Sequence, residues 1–371
     1  MRVGAFVLAA QFPGQGQGEA LHRAVRTTEA AEAAGLDAVW LAEHHFVPYG
    51  VCPSATTLAA LLLGRTRRIG VGTAVSVLPN HHPVALAEQT ALLHLTTGGR
   101  FTLGVGRGGP WVDLEVFGGG LDAFEHGFPE ALDLTLRWLR EPRVGADGER
   151  YTFREVDVVP RADEPVGRGA GGPVGSGSGA AYGAGTGTGT DAEDPGEGPP
   201  VVIACTSPGT VRLAAERGLP MLLGMHCGDE EKAEIVALWR REAEAAGHSA
   251  EKVAAVGARH VSAGVAQVED TREEATETLL KAMPGWLREG LGAHRTVDGR
   301  QRAMRDPVAY TELLCGLHPV GTPRLCADRL AATAERTGIN RFALLVEGSG
   351  DLAATERNVA RLGDDVLPRL T

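Results

Sequence analysis

The sequence predicts an α/β fold: a single (β/α)8 TIM barrel over residues 1–371, interrupted by one Gly-rich insert. Short apolar runs alternate with helical patterns along the 371 residues, giving eight strand-then-helix units. Strands that are apolar throughout are typical of a parallel sheet covered on both faces. Eight such units favour closure into a barrel over an open sheet.

The first half of the chain supplies four of these units. Gly35 and Gly64 follow two of the helical patterns and are typical of helix ends. Pro83 is suited to the first position of a helix, where its missing N–H is not needed. The predicted strands are Val3–Leu8, Ala38–Leu41, Ile69–Leu78 and Phe101–Val105, and the helices are Glu19–Ala34, Ser54–Leu63, a helix from Pro83, and His126–Arg140.

The second half continues the alternation after the insert. Of the 51 glycines, 13 lie in Gly167–Gly198, and this composition buries too little apolar surface to order itself. We therefore predict a disordered loop at residues 165–199, between the fourth helix and the fifth strand. Further strands are predicted at Val201–Ala204, Met221–Leu223, Ala254–Val261 and Phe342–Val346, and helices at Pro208–Arg217, Glu230–Ala246, Thr271–Trp286 and Pro323–Arg336.

Charge and cysteine content exclude several classes of protein. The net charge is −11, and an acidic chain without a long basic run is poorly suited to nucleic acid or to an anionic membrane. No apolar stretch approaches the roughly 20 residues of a membrane span. The cysteine count is odd, at 5, and no Cys-x-x-Cys pair occurs, which argues against a disulfide framework and favours the cytoplasm. The first apolar run is better explained as a strand than as a signal peptide.

A barrel prediction places chemistry where strands end and helices begin. Glu43, His44 and His45 follow the second strand directly. Because histidine titrates near neutral pH, this cluster is suited to general acid–base catalysis. A histidine that only fixes a loop is one alternative. A metal site is another, but successive side chains leaving a strand point in opposite directions, so no metal site is predicted.

Two further strand ends are suited to binding an anion. Arg107 lies in a glycine-rich turn whose sequence matches the pattern G-x-G-x-x-G. A dinucleotide-binding motif needs a helix to begin at this point, and no helical pattern begins there, so that motif is not supported. The Arg107 guanidinium suits a phosphate or carboxylate, although it could simply be exposed. After the fifth strand, Ser207 is a predicted helix N-cap before Pro208. The free N–H groups and hydroxyls there form an anion site or an ordinary cap.

For several other loop residues the sequence leaves both a structural and a functional role possible. His81 and His82 precede the third helix, where a structural role is favoured. Trp111, Phe117 and Phe124 could line an apolar pocket or pack within their loop. The polar segment Gly290–Arg305 is a candidate lid.

Taken together, these segments resemble the bacterial luciferase family of flavin-dependent monooxygenases, most closely its alkanal monooxygenase α-chain type. The matching segments occur in family order along the whole chain, with the insert as the main interruption. They are Ala42–Phe46, Arg68–Ala74, Leu78-Pro79, His82–Val84, Gly99–Phe101, Arg107-Gly108, Phe117-Gly118, Ser207 with Thr210, Gly218–Met221 and Pro319–Pro323.

The resemblance implies an activity and its partners. It implies a two-component enzyme that takes reduced FMN from a separate flavin reductase and O2 as co-substrate. The flavin 4a-hydroperoxide would then oxygenate a small organic substrate, possible substrates including natural-product precursors. A homodimer is implied. The alternatives are a deazaflavin-dependent oxidoreductase on the same barrel and a non-catalytic flavin-binding subunit.

The resemblance also assigns roles to residues. His44 corresponds to the catalytic histidine, with His45 and Glu43 beside it. Ala74 and Val75 occupy the position of a non-proline cis peptide under the flavin ring. The residues corresponding to the phosphate site are Arg107, Thr206, Ser207, Gly209 and Thr210.

Three departures from the family pattern limit what can be transferred. Gly106 stands where the luciferase α chain has a reactive cysteine, so a roomier pocket is expected there. Glu125 stands where the family has a second phosphate-binding arginine, and a carboxylate would repel a phosphate. The stretch before Pro319 differs from the luciferase lid. Light emission and a long-chain aldehyde substrate are therefore not carried over from the resemblance.

Overall fold

The architecture is a closed barrel of parallel strands. The computed structural model describes residues 1–162, 198–300 and 305–370. Within these residues, eight strands pair in chain order, and the barrel is closed by the pairing of the first with the last. They are β1 (Arg2–Val7), β2 (Ala38–Leu41), β3 (Gly70–Thr73), β4 (Phe101–Gly106), β5 (Val201–Cys205), β6 (Met221–Leu223), β7 (Val261–Val265) and β8 (Arg341–Leu345).

Helices surround the barrel, and their first residues explain where many of them begin. Ser54, Ser207, Thr271 and Thr322 each accept a hydrogen bond from a backbone N–H of the first turn. The described helices of eight residues or more are α1 (Gln17–Ala33), α2 (Ala55–Arg65), α3 (Pro83–Thr96), α4 (Phe128–Arg140), α5 (Pro208–Glu216), α6 (Asp229–Ala245), α7 (Ala250–Gly257), α8 (Arg272–Gly292), α9 (Pro307–Leu317), α10 (Pro323–Thr337) and α11 (Leu352–Arg361).

The core has two layers because side chains alternate along each strand. One set points into the barrel, where Phe6, Trp40 and Leu222 pack together. The other set, including Val39 and Leu103, packs against the surrounding helices. Both sets are buried, which explains why the strands are apolar throughout.

The barrel prediction is confirmed, and the predicted seventh strand is wrong. Ala254–Val261 was expected to be a strand, but the chain is helical to Gly257 and β7 begins at Val261. Short apolar runs fit a strand and a buried helix equally well, and here Ser249 starts a helix by accepting a hydrogen bond from Lys252 N. Sequence analysis also missed an antiparallel hairpin formed by Arg143–Asp147 and Thr152–Asp157.

Two other expectations concern the insert and membranes. The insert predicted at 165–199 lies outside the described residues up to position 197 and stays a prediction. Among the described helices, none combines the length and hydropathy needed to cross a bilayer.

A buried ion pair joins α1 to the ends of β1 and β8. Arg23 is 2% exposed, and its Nε donates to Glu347 Oε2 over 3.4 Å. The other carboxylate oxygen accepts Leu8 N at 2.7 Å, and Arg23 also donates to the carbonyl of Gly350 at 3.0 Å. This network fixes the two strand ends to one helix.

Replacing Arg23 with alanine should leave the Glu347 carboxylate buried without its cation. We expect the free energy of unfolding to fall by about 3–5 kcal/mol, measured by guanidinium unfolding. Arg26→Ala is the matched control, because Arg26 lies on the same helix but forms an exposed pair with Glu356. It should cost less than about 1 kcal/mol. Equal losses in the two variants would contradict the proposed role of the buried pair.

Candidate functional site

The sequence-predicted site residues leave four neighbouring strands at the same end of the barrel. Glu43 follows β2, Ala74 follows β3, Arg107 follows β4 and Ser207 follows β5. These strands pair in that order with parallel register. The structure therefore gathers the predicted residues at the C-terminal edge of the barrel, which is where TIM-barrel enzymes carry their chemistry.

Glu43 is a buried carboxylate that anchors two imidazoles. It accepts hydrogen bonds from His81 Nε2 at 2.9 Å, from His45 Nε2 at 3.3 Å and from Val77 N at 3.2 Å. Burial raises the pKa of Glu43, but the hydrogen bonds from His45 and His81 outweigh burial and hold the pKa below its ordinary value. Glu43 is thus held in its ionised form at neutral pH and fixes both rings.

His81 belongs to this cluster, although a structural role was favoured for it in the sequence. His81 lies 38 residues after Glu43 in the sequence, directly after the short helical turn Leu78–Asn80 that precedes α3. A contact between two loops leaves no periodic signal in the sequence. The one available clue was that both segments follow neighbouring strands.

His44 lies in a different environment from His45. Its ring meets Tyr49 edge-on with centroids 5.1 Å apart, and its Nδ1 is buried without a hydrogen-bond partner among the described residues. A side chain at Gly50 would come within 2.7 Å of this nitrogen, so glycine allows the close packing. Burial lowers the pKa of His44 to about 3, with a smaller effect from His294. His44 is therefore a neutral imidazole at physiological pH.

His294 is a site residue that sequence analysis missed. Its Nδ1 donates to Gly290 O at 3.1 Å, at the end of α8, and its ring packs on Trp111 with centroids 4.7 Å apart. Tyr49 lies between His294 and His44, since it contacts both rings. Burial lowers the pKa of His294 as well. The signal available in the sequence was its position within the candidate lid Gly290–Arg305.

The described part of that candidate lid packs against the loop after β4. Val112 N donates to Arg295 O at 2.9 Å, and Val297 N donates to Pro110 O at 2.9 Å. Trp111 and Thr296 also form an antiparallel bridge. Residues 290–292 belong to α8, and residues 301–304 lie outside the described chain. The segment thus brings His294 and Trp111 together over the barrel mouth.

The peptide bond between Ala74 and Val75 is cis, as the resemblance implied. Ala74 N donates to Leu41 O at 2.6 Å, which ties this bond to the end of β2. A side chain at Gly106 would come within 2.5 Å of a Val75 methyl group. The expectation of a roomier pocket beside Gly106 is therefore wrong, because Val75 fills that space.

Two features suited to binding an anion follow adjacent strands: Arg107 follows β4, and the first turn of α5 follows β5. The Arg107 guanidinium carbon lies 4.2 Å from the centre of the Phe124 ring. Ser207 Oγ accepts Thr210 N at 3.4 Å and lies 3.2 Å from Thr210 Oγ1. Thr206 and Gly209 are exposed, so the Gly209 N–H in the first turn of α5 is accessible to a ligand.

Glu125 lies on the turn Ala123–Gly127, and its carboxylate is half exposed. His126 Nε2 is 4.0 Å from that carboxylate and is also exposed. At such exposure the Glu125 charge is screened by water, so it weakens an anion site less than a buried carboxylate would.

Rings also surround the Glu43 cluster. His45 meets the edge of Phe117 at 4.8 Å, and Phe117 in turn stacks near Phe46 at 6.1 Å. Phe46 has a backbone φ of 62°, an unusual conformation for a bulky residue, and its side chain is 59% exposed. These rings form an apolar rim beside the histidines, as the sequence suggested for Phe117.

Comparison with known proteins identifies the family. The luciferase-like monooxygenase profile matches residues 1–341. The alkanal monooxygenase alpha chain of the Kryptophanaron alfredi symbiont is 27% identical over 387 aligned positions, covering 100% of this chain and 98% of that protein. These matches confirm the resemblance that the sequence motifs indicated.

Solved structures share the fold. Monooxygenase RslO1 from Streptomyces bottropensis aligns with a TM-score of 0.78 at 21% identity, covering 100% of both chains. The oxygenating constituent of 3,6-diketocamphane monooxygenase from Pseudomonas putida, solved in complex with FMN, aligns with a TM-score of 0.74 at 20% identity. That alignment covers 100% of this chain and 99% of the other.

The neutral state of His44 should make folding sensitive to acid. The ordinary pKa is 6.5 and the folded value is about 3, so below pH 6.5 the unfolded chain takes up a proton that the folded chain does not. Stability is therefore lost as pH falls, by up to about 2 kcal/mol at pH 5.

We expect His44→Gln to remove the part of the acid-induced loss of folding stability that comes from His44. Urea unfolding at about pH 7 and pH 5 should show a smaller loss of stability in the variant than in the wild type. Above about pH 8 His44 is almost fully deprotonated in both the folded and the unfolded chain, so the two proteins should change alike there. An identical decline to pH 5 in both proteins would show that His44 is not buried in its neutral form.

Proposed function

The chain belongs to the luciferase-like monooxygenase family and is therefore a flavin-dependent oxidoreductase, and from this premise we propose its reaction. It is the oxygenating component of a two-component system that uses reduced FMN and O2 to oxygenate a small organic substrate. One observation carries the proposal: His44, Ala74, Arg107 and Ser207 follow the C-terminal ends of four neighbouring strands and so lie at the same mouth of the barrel.

The residues present fit FMN. Arg107 supplies a cation and the exposed first turn of α5 supplies the N–H of Gly209, which together suit a phosphate dianion. Thr210 N already donates to Ser207 Oγ, so Thr210 helps to shape this helix end. The hydroxyls of Thr206 and Ser207 lie at the same helix end. Beside the cis peptide, the Ser76 hydroxyl is buried without a partner among the described residues and is therefore available to a ligand.

The protein groups then have separate tasks. Reduced flavin, when bound, supplies the electrons that activate dioxygen. His44 holds or accepts a proton at its imidazole, because its neutral form has one N–H and one lone pair. Glu43 keeps His45 and His81 in place. The rim formed by Phe46 and Phe117 limits access of water.

Substrate and partners follow from the same proposal. An apolar rim favours a substrate with an aromatic or aliphatic body, such as a natural-product precursor. Both oxygen insertion beside a carbonyl and hydroxylation of an electron-rich ring are compatible with this site.

We further propose that a separate reductase supplies reduced FMN in the cytoplasm. A homodimer is proposed as well; Leu61 on α2 and Leu92 on α3 are 51% and 55% exposed.

Arg107→Ala should weaken the binding of FMN and leave the affinity for riboflavin unchanged. Removing a charged hydrogen bond to the phosphate costs about 1.5–3 kcal/mol, equivalent to a loss of about 10- to 100-fold in affinity. Anaerobic titration of both flavins in their reduced form measures the two dissociation constants. Riboflavin lacks the phosphate and serves as the matched control.

The same titration distinguishes the alternatives. Equal weakening of FMN and riboflavin would remove Arg107 from the phosphate site. Tight binding of a deazaflavin cofactor with no binding of FMN would favour the deazaflavin-dependent oxidoreductase.

His44→Ala should lower oxygenation by about 100- to 10,000-fold, the usual contribution of a general acid–base group. The assay supplies saturating reduced FMN and a panel of ketones, aldehydes and phenols, and measures oxygenated product by mass spectrometry. His22→Ala, an exposed change on α1, is the control and should retain activity. Undiminished turnover in His44→Ala would remove His44 from the mechanism. A wild-type chain that binds reduced FMN but gives no product would favour a non-catalytic subunit.

A further inference from the structure

Two tyrosine hydroxyl groups at the barrel mouth have no role in the reaction proposed above. Tyr49 belongs to the loop after β2, and Tyr310 belongs to the first turn of α9. Both rings pack against the same interior cluster as Ala74 and Val75 of the cis peptide. Tyr49 also contacts the His44 ring directly. The two phenols are therefore neighbours of the residues proposed to carry out oxygenation.

The Tyr49 ring is held in one position by its neighbours. It stacks on Trp286 of α8 with ring centres 4.8 Å apart and an angle of 6° between the planes, and its backbone carbonyl accepts the Trp286 indole N–H at 3.0 Å. The His44 ring meets it edge-on at 5.1 Å. A side chain at Gly290 would come within 2.7 Å of the Tyr49 backbone, so glycine permits this packing. The fold thus fixes the Tyr49 ring before any substrate binds.

Tyr310 is positioned by the start of α9. Asp306 caps this helix, and its backbone carbonyl accepts Tyr310 N at 2.9 Å. The guanidinium carbon of Arg305 lies 5.3 Å from the centre of the Tyr310 ring. Cys227, which follows the end of β6, and Tyr49 both lie within electrostatic range of the Tyr310 hydroxyl. The two tyrosine hydroxyls therefore share one region of the barrel mouth.

Both phenols keep their protons at neutral pH. Burial raises the pKa of Tyr49 and of Tyr310 above the ordinary value of 10.0. The charge of Arg305 lowers the pKa of Tyr310, but burial outweighs it. Among the described residues, none forms a hydrogen bond with either hydroxyl. Because hydroxyl groups inside proteins usually have a partner, the two O–H donors are available to a bound molecule.

We propose that Tyr49 and Tyr310 bind the carbonyl oxygen of the substrate through their two hydroxyl groups. The inference rests on the proposed function and adds a substrate class to it: carbonyl compounds with an apolar body. A carbonyl oxygen has two lone pairs and no proton, so it accepts both hydrogen bonds. A phenol or an alcohol would instead bring a further donor to a place that already holds two.

The test measures binding without turnover, using the full chain, saturating reduced FMN and no oxygen. The probe is 2-acetonaphthone, and the matched control is 2-ethylnaphthalene, which has a methylene group in place of the carbonyl. Equilibrium dialysis measures both dissociation constants. Because each hydrogen bond changes affinity by about 2- to 10-fold, we expect the ketone to bind at least about 4-fold more tightly than the hydrocarbon.

Three conservative variants identify the donors. Tyr49→Phe and Tyr310→Phe keep the rings and remove one hydroxyl each, so each should weaken ketone binding by about 2- to 10-fold and leave hydrocarbon binding unchanged. The double variant should lose the preference for the ketone. Tyr151→Phe removes a hydroxyl from the hairpin at 143–157 and is the matched control, which should change neither affinity.

Infrared spectroscopy separates hydrogen bonding from packing. The stretching frequency of a ¹³C-labelled ketone carbonyl falls when its oxygen accepts hydrogen bonds. We expect a lowered frequency in the wild-type complex and a partial return towards the free value in each of Tyr49→Phe and Tyr310→Phe. A purely structural role of either ring would leave the frequency unchanged.

The possible failures are distinguishable. Equal affinity of the wild type for the two probes, with reduced FMN bound, would overturn this inference and leave the proposed function standing. Unchanged ketone affinity and carbonyl frequency in both single variants would place the carbonyl away from these tyrosines. A wild-type chain that does not bind reduced FMN would overturn the proposed function and this inference with it.

Discussion

The contact between Thr73 and Gly104 sets the geometry on which the rest of the site depends. Thr73 Oγ1 donates to Gly104 O at 2.6 Å and accepts Gly104 N at 2.9 Å. A side chain at position 104 would lie 1.8 Å from Thr73 O, so only glycine lets β3 and β4 approach this closely. The next residues on each strand are thereby fixed: the cis peptide Ala74–Val75 on one side, and Gly106, covered by a Val75 methyl group, on the other.

Two adjacent residues that follow β2 are in opposite electrostatic states. Glu43 stays ionised because three donors, including Val77 N, replace the water it loses. His44 is neutral because burial against Tyr49 brings it no compensating hydrogen bond at Nδ1. Successive side chains leave a strand in opposite directions, so one strand end supplies both a fixed charge and an uncharged proton carrier.

Much of this arrangement could be predicted from the sequence, for identifiable reasons. Continuous apolar strands alternating with capped helices indicated the barrel, and the barrel indicated which strand ends to examine. The family resemblance, and not the residue pattern, indicated the cis bond at Ala74–Val75. Contacts between separate loops were not predictable: His81 reaches Glu43, and His294 reaches Trp111, without any local pattern. The seventh strand was misplaced because the apolar run at 254–261 carries no signal that separates strand from helix.

Glycines and other small residues connect the two ends of the barrel. Gly72 lies directly against the Trp40 ring inside the barrel, and Ala74 of the proposed flavin site follows the same strand two residues later. Between the two ends, Phe6, Trp40 and Leu222 belong to one packed interior cluster, and Ala74 and Val75 pack against the same cluster. The interior of the barrel therefore supports the strand ends that carry the proposed flavin site.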